Sequence, residues 1–388
     1  MRPIFAALAL ALFPFAAQAE NYDIDVVLPL TGTGAFIGKA QEQALALEEK
    51  LFNDEGGING RPVHFVIHDD QTNPQVSVQL VTDILGKQPV VIMGPSLTAM
   101  CRATMPLMTN GPVEYCYTPS VNPEPGSYVF SSQIAQAGLI ETVVRYFHAR
   151  GWNKIALIAS TDATGQEGEK GIERAASLPD LPGMTIVEKT HYNPTDLTVT
   201  AQLERMKAAA PDAVIAWTTG TPVGTVFKAL AQAGWDVPFA PGTGNLLYTF
   251  MHQFAAVLPK QLYLAAPQGA ARGEGMKLDP RVVAAKKTYY ELFQTIGLYP
   301  DTGAETVWDS TRIVVEALRH AGAQPTAQKV RDYILQIRDF AGVSGIYNYE
   351  KSPQRGISGH DAVMTRWNGE KTMFEAVSQP GGDELIAR

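Results

Sequence analysis

The sequence predicts an α/β protein built from two doubly wound lobes. Over the first 120 residues, strand-length apolar runs alternate with helical patterns of ten or more residues, which predicts βαβ units and a parallel sheet. The same alternation restarts near residue 138, so a second lobe of similar kind is expected. A length of 388 residues is sufficient for two such lobes.

The first lobe begins with a predicted strand at Asp23–Leu30 and a helix at Gly38–Asn53, where apolar residues recur at helical spacing. A second strand at Val63–His68 leads to a helix that Asn73 caps and Pro74 opens, because both residue types suit a helix start. The following elements are predicted at Pro89–Gly94 (strand), Thr98–Met108 (helix) and Val113–Tyr117 (strand).

The second lobe is predicted to begin with a helix at Gly138–Arg150 and a buried strand at Lys154–Ala159. Its further strands are expected at Met184–Lys189, Ala213–Trp217, Val237–Ala240 and Leu262–Ala266, separated by helices at Gly165–Ser177, Leu197–Ala209 and Pro222–Ala233. Long helical patterns then follow at Pro280–Gly297, Thr302–Gly322 and Thr326–Ile337, before a strand-like tail at Gly345–Val377.

The N-terminus has the pattern of a cleavable secretory signal. Arg2 supplies a charged start, Ile4–Ala17 is a short apolar run that Pro14 interrupts, and Ala17-Gln18-Ala19 is a small-residue cleavage site. The run is too short to span a bilayer. Residues 1–19 are therefore predicted to be a signal peptide, and the mature protein is expected in a bacterial periplasm.

Composition excludes several classes of protein. A net charge of -8 disfavours a nucleic-acid partner, because nucleic-acid binders need a basic surface. Apolar residues make up 45% and charged residues 18%, which is ordinary for a globular protein and argues against wholesale disorder. The mean hydropathy of -0.06 excludes a polytopic membrane protein.

The two cysteines, Cys101 and Cys116, fall on a predicted helix and on the strand that follows it. Such elements pack together in a βαβ unit, and an exported protein lives where disulfides persist. A disulfide is favoured over two free buried thiols. No histidine is near either cysteine in sequence, so a metal site is not expected.

No catalytic or cofactor motif is present. The glycines at 32, 34 and 38 are spaced one residue too far apart for a dinucleotide-binding turn. His64 and His68 lack the glutamate of a zinc-protease helix, and Asp69-Asp70 is interpreted as a helix cap. No cofactor or metal is predicted, and an enzyme is disfavoured.

Polar, glycine-rich segments follow five of the predicted strands. They are Ser96–Ala99, Thr118–Pro123, Ser160–Gln166, Trp217–Pro222 and Pro241–Leu246. In doubly wound sheets the ligand binds at the carboxyl ends of the strands, so these segments are expected to face one another across a cleft.

Several of these segments occur in the order found in one known family. The motifs are LPLTGTGAFIG, GGINGRPV, HDDQTNP, VVIMGPSLTAM, TPSVNPE, KIALIASTDATGQEG and PDAVIAWTTG. In this order the sequence resembles the periplasmic solute-binding proteins of branched-chain amino acid-type ABC importers, which have the type I periplasmic-binding fold. The resemblance extends from about Asp23 to Val377.

The resemblance implies two lobes joined by three crossover segments, near Ser131–Ile134, Ala265–Gln268 and Val343–Tyr347. Lobe 1 would comprise residues 20–132 and 267–343, and lobe 2 residues 133–266 and 344–388. The resemblance also implies a small-molecule ligand between the lobes and a membrane permease as partner. A monomer is expected.

The family's ligand positions match particular residues of this sequence. Thr98 and Ser120 match positions that hold the ligand's carboxylate. The complete set of predicted ligand-binding residues is Phe36, Ser96, Leu97, Thr98, Ser120, Asn122, Thr164, Trp217, Thr219, Gly244, Asn245 and Gln268.

The sequence departs from the family in the second lobe. Amino-acid binders place an acidic residue near the segment that matches Pro241–Leu246, but neither that segment nor Trp217–Pro222 contains one. Asp162 is interpreted as bracing its own turn, and the family's aromatic residue near Thr164 is missing. An ammonium buried without a counter-charge is unfavourable, so a carboxylate without an amine is predicted, such as an aromatic or short organic acid.

The leading hypothesis is therefore an extracytoplasmic solute-binding protein of an ABC importer, without catalysis. The alternatives are a branched-chain or other amino acid or amide binder of the same family, an α/β enzyme, and a ligand-sensing module.

Overall fold

The computed structural model describes residues 20–387, so the predicted signal peptide at residues 1–19 lies outside the described residues. Two parallel sheets, each flanked by helices, form the molecule. The prediction of a two-sheet α/β protein is confirmed. No helix in the described part of the chain is long and apolar enough to cross a membrane.

The first sheet has the strand order β2-β1-β3-β4-β5, with every neighbouring pair parallel. Its strands are β1 (Tyr22–Leu28), β2 (Val63–Asp69), β3 (Val91–Met93), β4 (Val113–Cys116) and β5 (Val129–Ser131). The helices between them are α1 (Ala35–Asp54), α2 (Pro74–Leu85) and α3 (Thr98–Thr104), and a 3-10 turn at Met105–Met108 ends the last of these. Strands β3 and β4 are buried at every position, as expected for a sheet covered on both faces.

The second sheet has the order β7-β6-β8-β9, also parallel. Its strands are β6 (Lys154–Ser160), β7 (Thr185–Tyr192), β8 (Ala213–Trp217) and β9 (Phe239–Pro241). The helices of this region are α4 (Gln136–Ala149), α5 (Ala163–Ala176), α6 (Thr200–Ala208), α7 (Pro222–Gln232) and α8 (Tyr248–Gln253). A bridge between Phe239 and Leu262 continues the sheet toward an antiparallel group of β10 (Tyr263–Pro267), β13 (Ala362–Asn368) and β14 (Met373–Ala376).

After β10 the chain returns to the first sheet through α9 (Pro280–Gln294), α10 (Thr302–Ala321) and α11 (Ala327–Gln336). Helix α10 packs along α1 and is buried on most of its surface. The short hairpin of β11 (Phe340–Ala341) and β12 (Ile346–Tyr347) follows.

The third crossing between the sheets lies later than Val343–Tyr347. Tyr349 hydrogen-bonds through its hydroxyl to Tyr115 of β4, and the N–H of Ser131 in β5 donates to Gln354. The chain reaches the second sheet only at residues 357–361, where Gly359 contacts Gly138 of α4. Tyr349, Gln354 and Arg355 are thus hydrogen-bonded to strands of the first sheet, although they follow the boundary predicted at residue 344.

The structure confirms one predicted helix cap, at Asn73, and corrects another, at Asp69. Asn73 caps α2 by accepting hydrogen bonds from the N–H groups of Gln75 and Val76, as predicted. Asp69 does not cap a helix; its Oδ1 accepts hydrogen bonds from the N–H groups of Leu30 and Thr31, so it holds the loop after β1. Four N–H and O–H donors keep the pKa of Asp69 below its usual value despite partial desolvation.

A disulfide joins Cys101 in α3 to Cys116 at the end of β4. Both half-cystines are fully buried. Because Thr98 opens α3 and the loop after β4 begins at Tyr117, this disulfide ties together two elements that carry predicted site residues.

Candidate functional site

The carboxyl ends of the two sheets face one cleft, as predicted from the polar segments that follow the strands. The free volume of the cleft is about 430 Å³, part of it open to solvent. The residues that line it are Ile37, Ser96, Leu97, Thr98, Tyr117, Thr118, Pro119, Ser120, Gln133, Gln136, Leu139, Thr164, Trp217, Thr219, Gly242, Thr243 and Gly244.

Hydroxyl groups at the start of α3 and the end of β4 form one wall. Thr98 is buried, and its Oγ1 lies 3.1 Å from Oγ1 of Thr118. The residue before the helix, Leu97, provides no side-chain cap, so the first N–H groups of α3 have no side-chain acceptor. Hydroxyls and free N–H groups together are good donors to a negatively charged ligand group.

The same wall continues into the first crossover. The Ser120 hydroxyl donates to Gln136 Oε1, and Gln133 Nε2 donates to the carbonyl oxygen of Tyr117 at 3.0 Å. These bonds hold the loop after β4 against the segment that leads into α4.

The opposite wall comes from the second sheet. The indole of Trp217 lies against α5 at Gly168, where a Cβ would be only 1.9 Å from Trp217 Cδ1, so glycine is required there. Thr219 and Gly244 lie beside it and line the same wall. The indole ring of Trp217 and the hydroxyl of Thr219 together suit the uncharged part of a ligand.

Among residues 20–387, no side chain with a carboxylate, ammonium, guanidinium or imidazole group lines the cleft. Asp162, the acid nearest in sequence on the second wall, caps α5 and accepts hydrogen bonds from Gly165 N–H at 2.9 Å and the Ser160 hydroxyl at 2.8 Å. Its carboxylate is committed to its own turn, as the sequence interpretation expected.

The two walls touch each other. Thr164 at the start of α5 brings its Oγ1 to 3.4 Å from Oγ1 of Thr98. At the rim, Arg102 of α3 forms an ion pair of 3.2 Å with Glu167 of α5. A Cβ on Gly220, which has a φ of +83°, would lie 2.4 Å from the carbonyl oxygen of Thr33. The structure is therefore a closed arrangement of the two sheets.

The structure brings eight of the predicted ligand-binding residues to the cleft, namely Ser96, Leu97, Thr98, Ser120, Thr164, Trp217, Thr219 and Gly244. Among these, Ser96 directs its hydroxyl away from the opposite wall and donates to Gln41 Oε1 of α1 at 2.6 Å. Ser96 therefore acts chiefly as a support for the strand exit.

Four predicted residues do not line the cleft. Phe36 lies in a separate apolar groove, with its ring 5.7 Å from that of Phe250, because α1 turns it away from the strand ends. Asn122 is exposed, since the loop has already left the cleft at that position. Gln268 is buried behind the cleft, 3.4 Å from Asp361.

Asn245 is the fourth, and it supports the second wall from behind. Its side chain donates to the carbonyl oxygen of Thr218 at 2.7 Å and accepts from the N–H of Gly220 at 2.8 Å. It is completely buried. This residue therefore fixes two loops of the second sheet relative to each other.

Sequence reasoning missed other lining residues, of which Gln133, Gln136, Thr118 and Thr243 are polar. Gln133 lies in the crossover that was placed at Ser131–Ile134, and a crossover necessarily borders the cleft between two lobes. That topological signal could have identified Gln133 and Gln136. Thr118 and Thr243 lie within polar segments already identified, but sequence alone does not tell which hydroxyl of a loop faces inward.

The residues in and around the cleft do not form a metal site. No group of three or more His, Cys, Asp or Glu side chains in the described residues could hold a metal ion.

Comparison with known proteins shows the family to which the chain belongs. The sequence model of the family described as "Periplasmic binding protein" matches residues 22–372. A leucine-, isoleucine-, valine-, threonine- and alanine-binding protein of Pseudomonas aeruginosa is 23% identical over 248 residues. That match covers 62% of this chain and 66% of the relative, just under two thirds of its length.

Solved structures share the fold. An extracellular ligand-binding receptor from Rhodopseudomonas palustris HaA2 superposes with a TM-score of 0.80 and 23% identity, covering 92% of this chain and 100% of that one. The branched-chain amino acid transporter substrate-binding protein LivJ from Streptococcus pneumoniae, solved with isoleucine, has a TM-score of 0.77 and 18% identity, with coverages of 92% and 99%. At these identities the likeness establishes the fold alone.

Proposed function

Because the chain belongs to the periplasmic binding protein family, we propose that it captures a small organic carboxylate without an α-ammonium group and delivers it to the permease of an ABC importer. The protein would act in the periplasm as a monomer after removal of residues 1–19, and it would return its ligand unchanged. The observation that carries the proposal is the polar cleft whose lining contains no charged side chain.

The first wall supports the choice of a carboxylate. Thr98 and Thr118 present buried hydroxyls there, beside the uncapped first turn of α3, and Ser120 would have to release Gln136 before donating to a ligand. A hydrogen bond to a charged group contributes about 1.5–3 kcal/mol, so each such donor would strengthen carboxylate binding by about 10- to 150-fold.

The second wall argues against an ammonium group. A buried ammonium without a counter-charge is unfavourable by several kcal/mol. Asp162 would have to leave its bonds to Gly165 and Ser160 to provide that charge. Trp217 and Thr219 instead suit an aromatic or aliphatic body.

A second candidate ligand is a branched-chain amino acid. It is favoured by the names of the Pseudomonas aeruginosa relative and of the Streptococcus pneumoniae structure, both of which concern such amino acids. In that case the ammonium would be met only by neutral oxygen atoms.

The two candidates are separated by matched pairs of compounds in isothermal titration calorimetry. The pairs are 3-phenylpropanoate with phenylalanine and 4-methylpentanoate with leucine, each differing only in the α-amino group. We expect the acid without the amine to bind at least tenfold more tightly in one pair. Tighter binding of both amino acids would overturn the carboxylate proposal and favour the second candidate.

A further inference from the structure

Arg355 is a buried cation without a carboxylate partner. Only 7% of its surface is exposed, although arginine is seldom buried to this extent. Its guanidinium donates to Ser131 Oγ at 2.8 Å, to the carbonyl oxygens of Gln133 and Val121, and to Asn122 Oδ1 at 3.4 Å. All these acceptors are neutral, and Arg355 makes no ion pair with any residue between 20 and 387.

The acceptors belong to the two chain segments that form the first wall of the cleft. Gln133 lines the cleft and belongs to the crossover, whereas Val121 directly follows Ser120, which also lines it. The guanidinium therefore lies immediately behind the wall that carries Ser120 and Gln133.

The positive charge of Arg355 persists at neutral pH. Burial lowers the pKa of the guanidinium to about 10, which still leaves it protonated. The nearest aromatic hydroxyls, those of Tyr115 and Tyr349, are neutral, because burial raises their pKa. The buried carboxyl of Asp309 is bound by the N–H groups of Val343 and Ser344.

A buried charge without a counter-charge is unfavourable in the free protein. The same charge stabilises an anion brought close to it, because electrostatic interactions act over longer distances where water is excluded. Among residues 20–387, no charged side chain lines the cleft next to it. An anionic ligand would therefore complete a pair that the protein lacks.

We propose that Arg355 is the residue that makes the cleft selective for anions, acting through the wall without touching the ligand. This inference rests on the proposed function and extends it, since it names the source of the positive potential. Neutral hydrogen-bond donors already hold a carboxylate more strongly than an amide. The full positive charge of Arg355 behind the wall would increase that preference further.

A reporter thiol tests the potential without any ligand. In Ser120→Cys, the thiol should titrate below its ordinary pKa of about 8.5, even though burial alone would raise that pKa. Adding Arg355→Gln should raise the thiol pKa by about 1 or more, whereas adding Arg355→Lys, which keeps the charge, should change it less. Thiolate absorbance near 240 nm gives the pKa, and thiol counting must find one free thiol per chain.

A thiol pKa at or above 8.5 in Ser120→Cys alone would overturn the proposal, and this measurement needs no change at Arg355. Equal thiol pKa values in the Ser120→Cys proteins that carry Arg, Lys or Gln at position 355 would overturn the proposal as well. Arg355→Met is the second neutral variant if Arg355→Gln does not fold.

The second measurement uses 3-phenylpropanoate and 3-phenylpropanamide on the protein with and without Arg355→Gln. We expect the preference for the acid over the amide to fall at least tenfold, while the amide's own affinity changes little. Equal losses for acid and amide would assign Arg355 a structural role only. A failure of the proposed function is distinguishable, because it appears in the wild-type protein as preference for phenylalanine, whatever the thiol pKa.

Discussion

The hydroxyl oxygens of Thr98 and Thr164 lie 3.4 Å apart, although 66 residues separate the two in sequence. Each lies in the first turn of a helix that follows a strand, one from the first sheet and one from the second. Their approach brings together two walls that would each be incomplete alone. A carboxylate seated beside them could accept a hydrogen bond from either wall, so binding and closure are expected to be coupled.

Thr98→Val should weaken binding of the preferred carboxylate by about 10- to 150-fold, because one hydrogen bond to a charged group is lost. The two side chains have nearly the same shape, so the melting temperature without ligand should change little. Titration calorimetry measures the affinity. Thr109→Val, an exposed threonine of the same lobe, is the control and should bind normally. Normal binding by Thr98→Val would remove Thr98 from the site.

Thr219→Asp should reverse the selectivity of the cleft. Thr219 lines the second wall, so an aspartate there would repel a carboxylate ligand and could pair with an ammonium group. We expect the affinity ratio of 3-phenylpropanoate to phenylalanine to fall at least tenfold. Thr198→Asp, an exposed change in the same sheet's loops, should leave the ratio unchanged. An unchanged ratio in Thr219→Asp would mean that the second wall does not contact the α-position of the ligand.

The wild-type protein should lose stability as the pH rises from about 4.5 to 8, in part because of Glu114. Its carboxyl is completely buried beside Thr104, and burial raises its pKa to about 8. The unfolded chain therefore releases this proton first, and the free energy of unfolding falls by about 1.4 kcal/mol per pH unit from this group. Glu114→Gln should remove that contribution and flatten the dependence.

Chemical unfolding at pH 5, 6, 7 and 8 measures this effect. Glu124→Gln is the matched control, because Glu124 is exposed in the same lobe, and it should follow the wild-type curve. Parallel curves for wild type and Glu114→Gln would contradict the assignment.

Reduction of the Cys101–Cys116 disulfide should lower the free energy of unfolding by about 3 kcal/mol on the loop-entropy model. It should also weaken ligand binding, because the disulfide holds α3, with Thr98, to the end of β4. The Cys101→Ala/Cys116→Ala variant should reproduce both losses and be insensitive to reductant. Two free thiols in the unreduced, unfolded wild-type protein would show that the disulfide does not form.

Ligand should make the protein more compact in solution. The closed arrangement has Arg102 and Glu167 3.2 Å apart across the cleft, and opening would separate them. Small-angle scattering should therefore give a smaller radius of gyration at saturating 3-phenylpropanoate, or whichever acid calorimetry finds to bind. Identical scattering with and without ligand would indicate a preformed cavity instead.

Strong periodic patterns made most elements predictable. The strand Ala213–Trp217 has the same bounds in the prediction and in the structure. A short apolar run between turn residues is typical of a buried strand, so both of its ends are well defined by the sequence. By contrast, strand Val129–Ser131 and helix Tyr248–Gln253 were not predicted. Both are short, and they depend on neighbouring elements more than on their own sequence.

The site was predictable in part for the same reason. Thr98, Ser120 and Thr219 follow the carboxyl ends of strands, and the position of those strand ends follows from parallel topology. Asn122 and Phe36 lie only a few residues from lining positions, but one leaves the cleft with its loop and the other turns with its helix. Side-chain direction in a loop or a first helical turn is fixed by packing, which the local sequence does not reveal.

The sequence by itself determined that two parallel α/β sheets form, that polar loops meet at their strand ends, and that no acid occurs in Trp217–Pro222 or Pro241–Leu246. These properties follow from local periodicity and composition. Only the tertiary structure decided that Gln133 and Gln136 complete the first wall and that Arg355 lies buried behind it. Arg355 is 222 residues from Gln133 in sequence, and such distant contacts arise only when the whole chain packs.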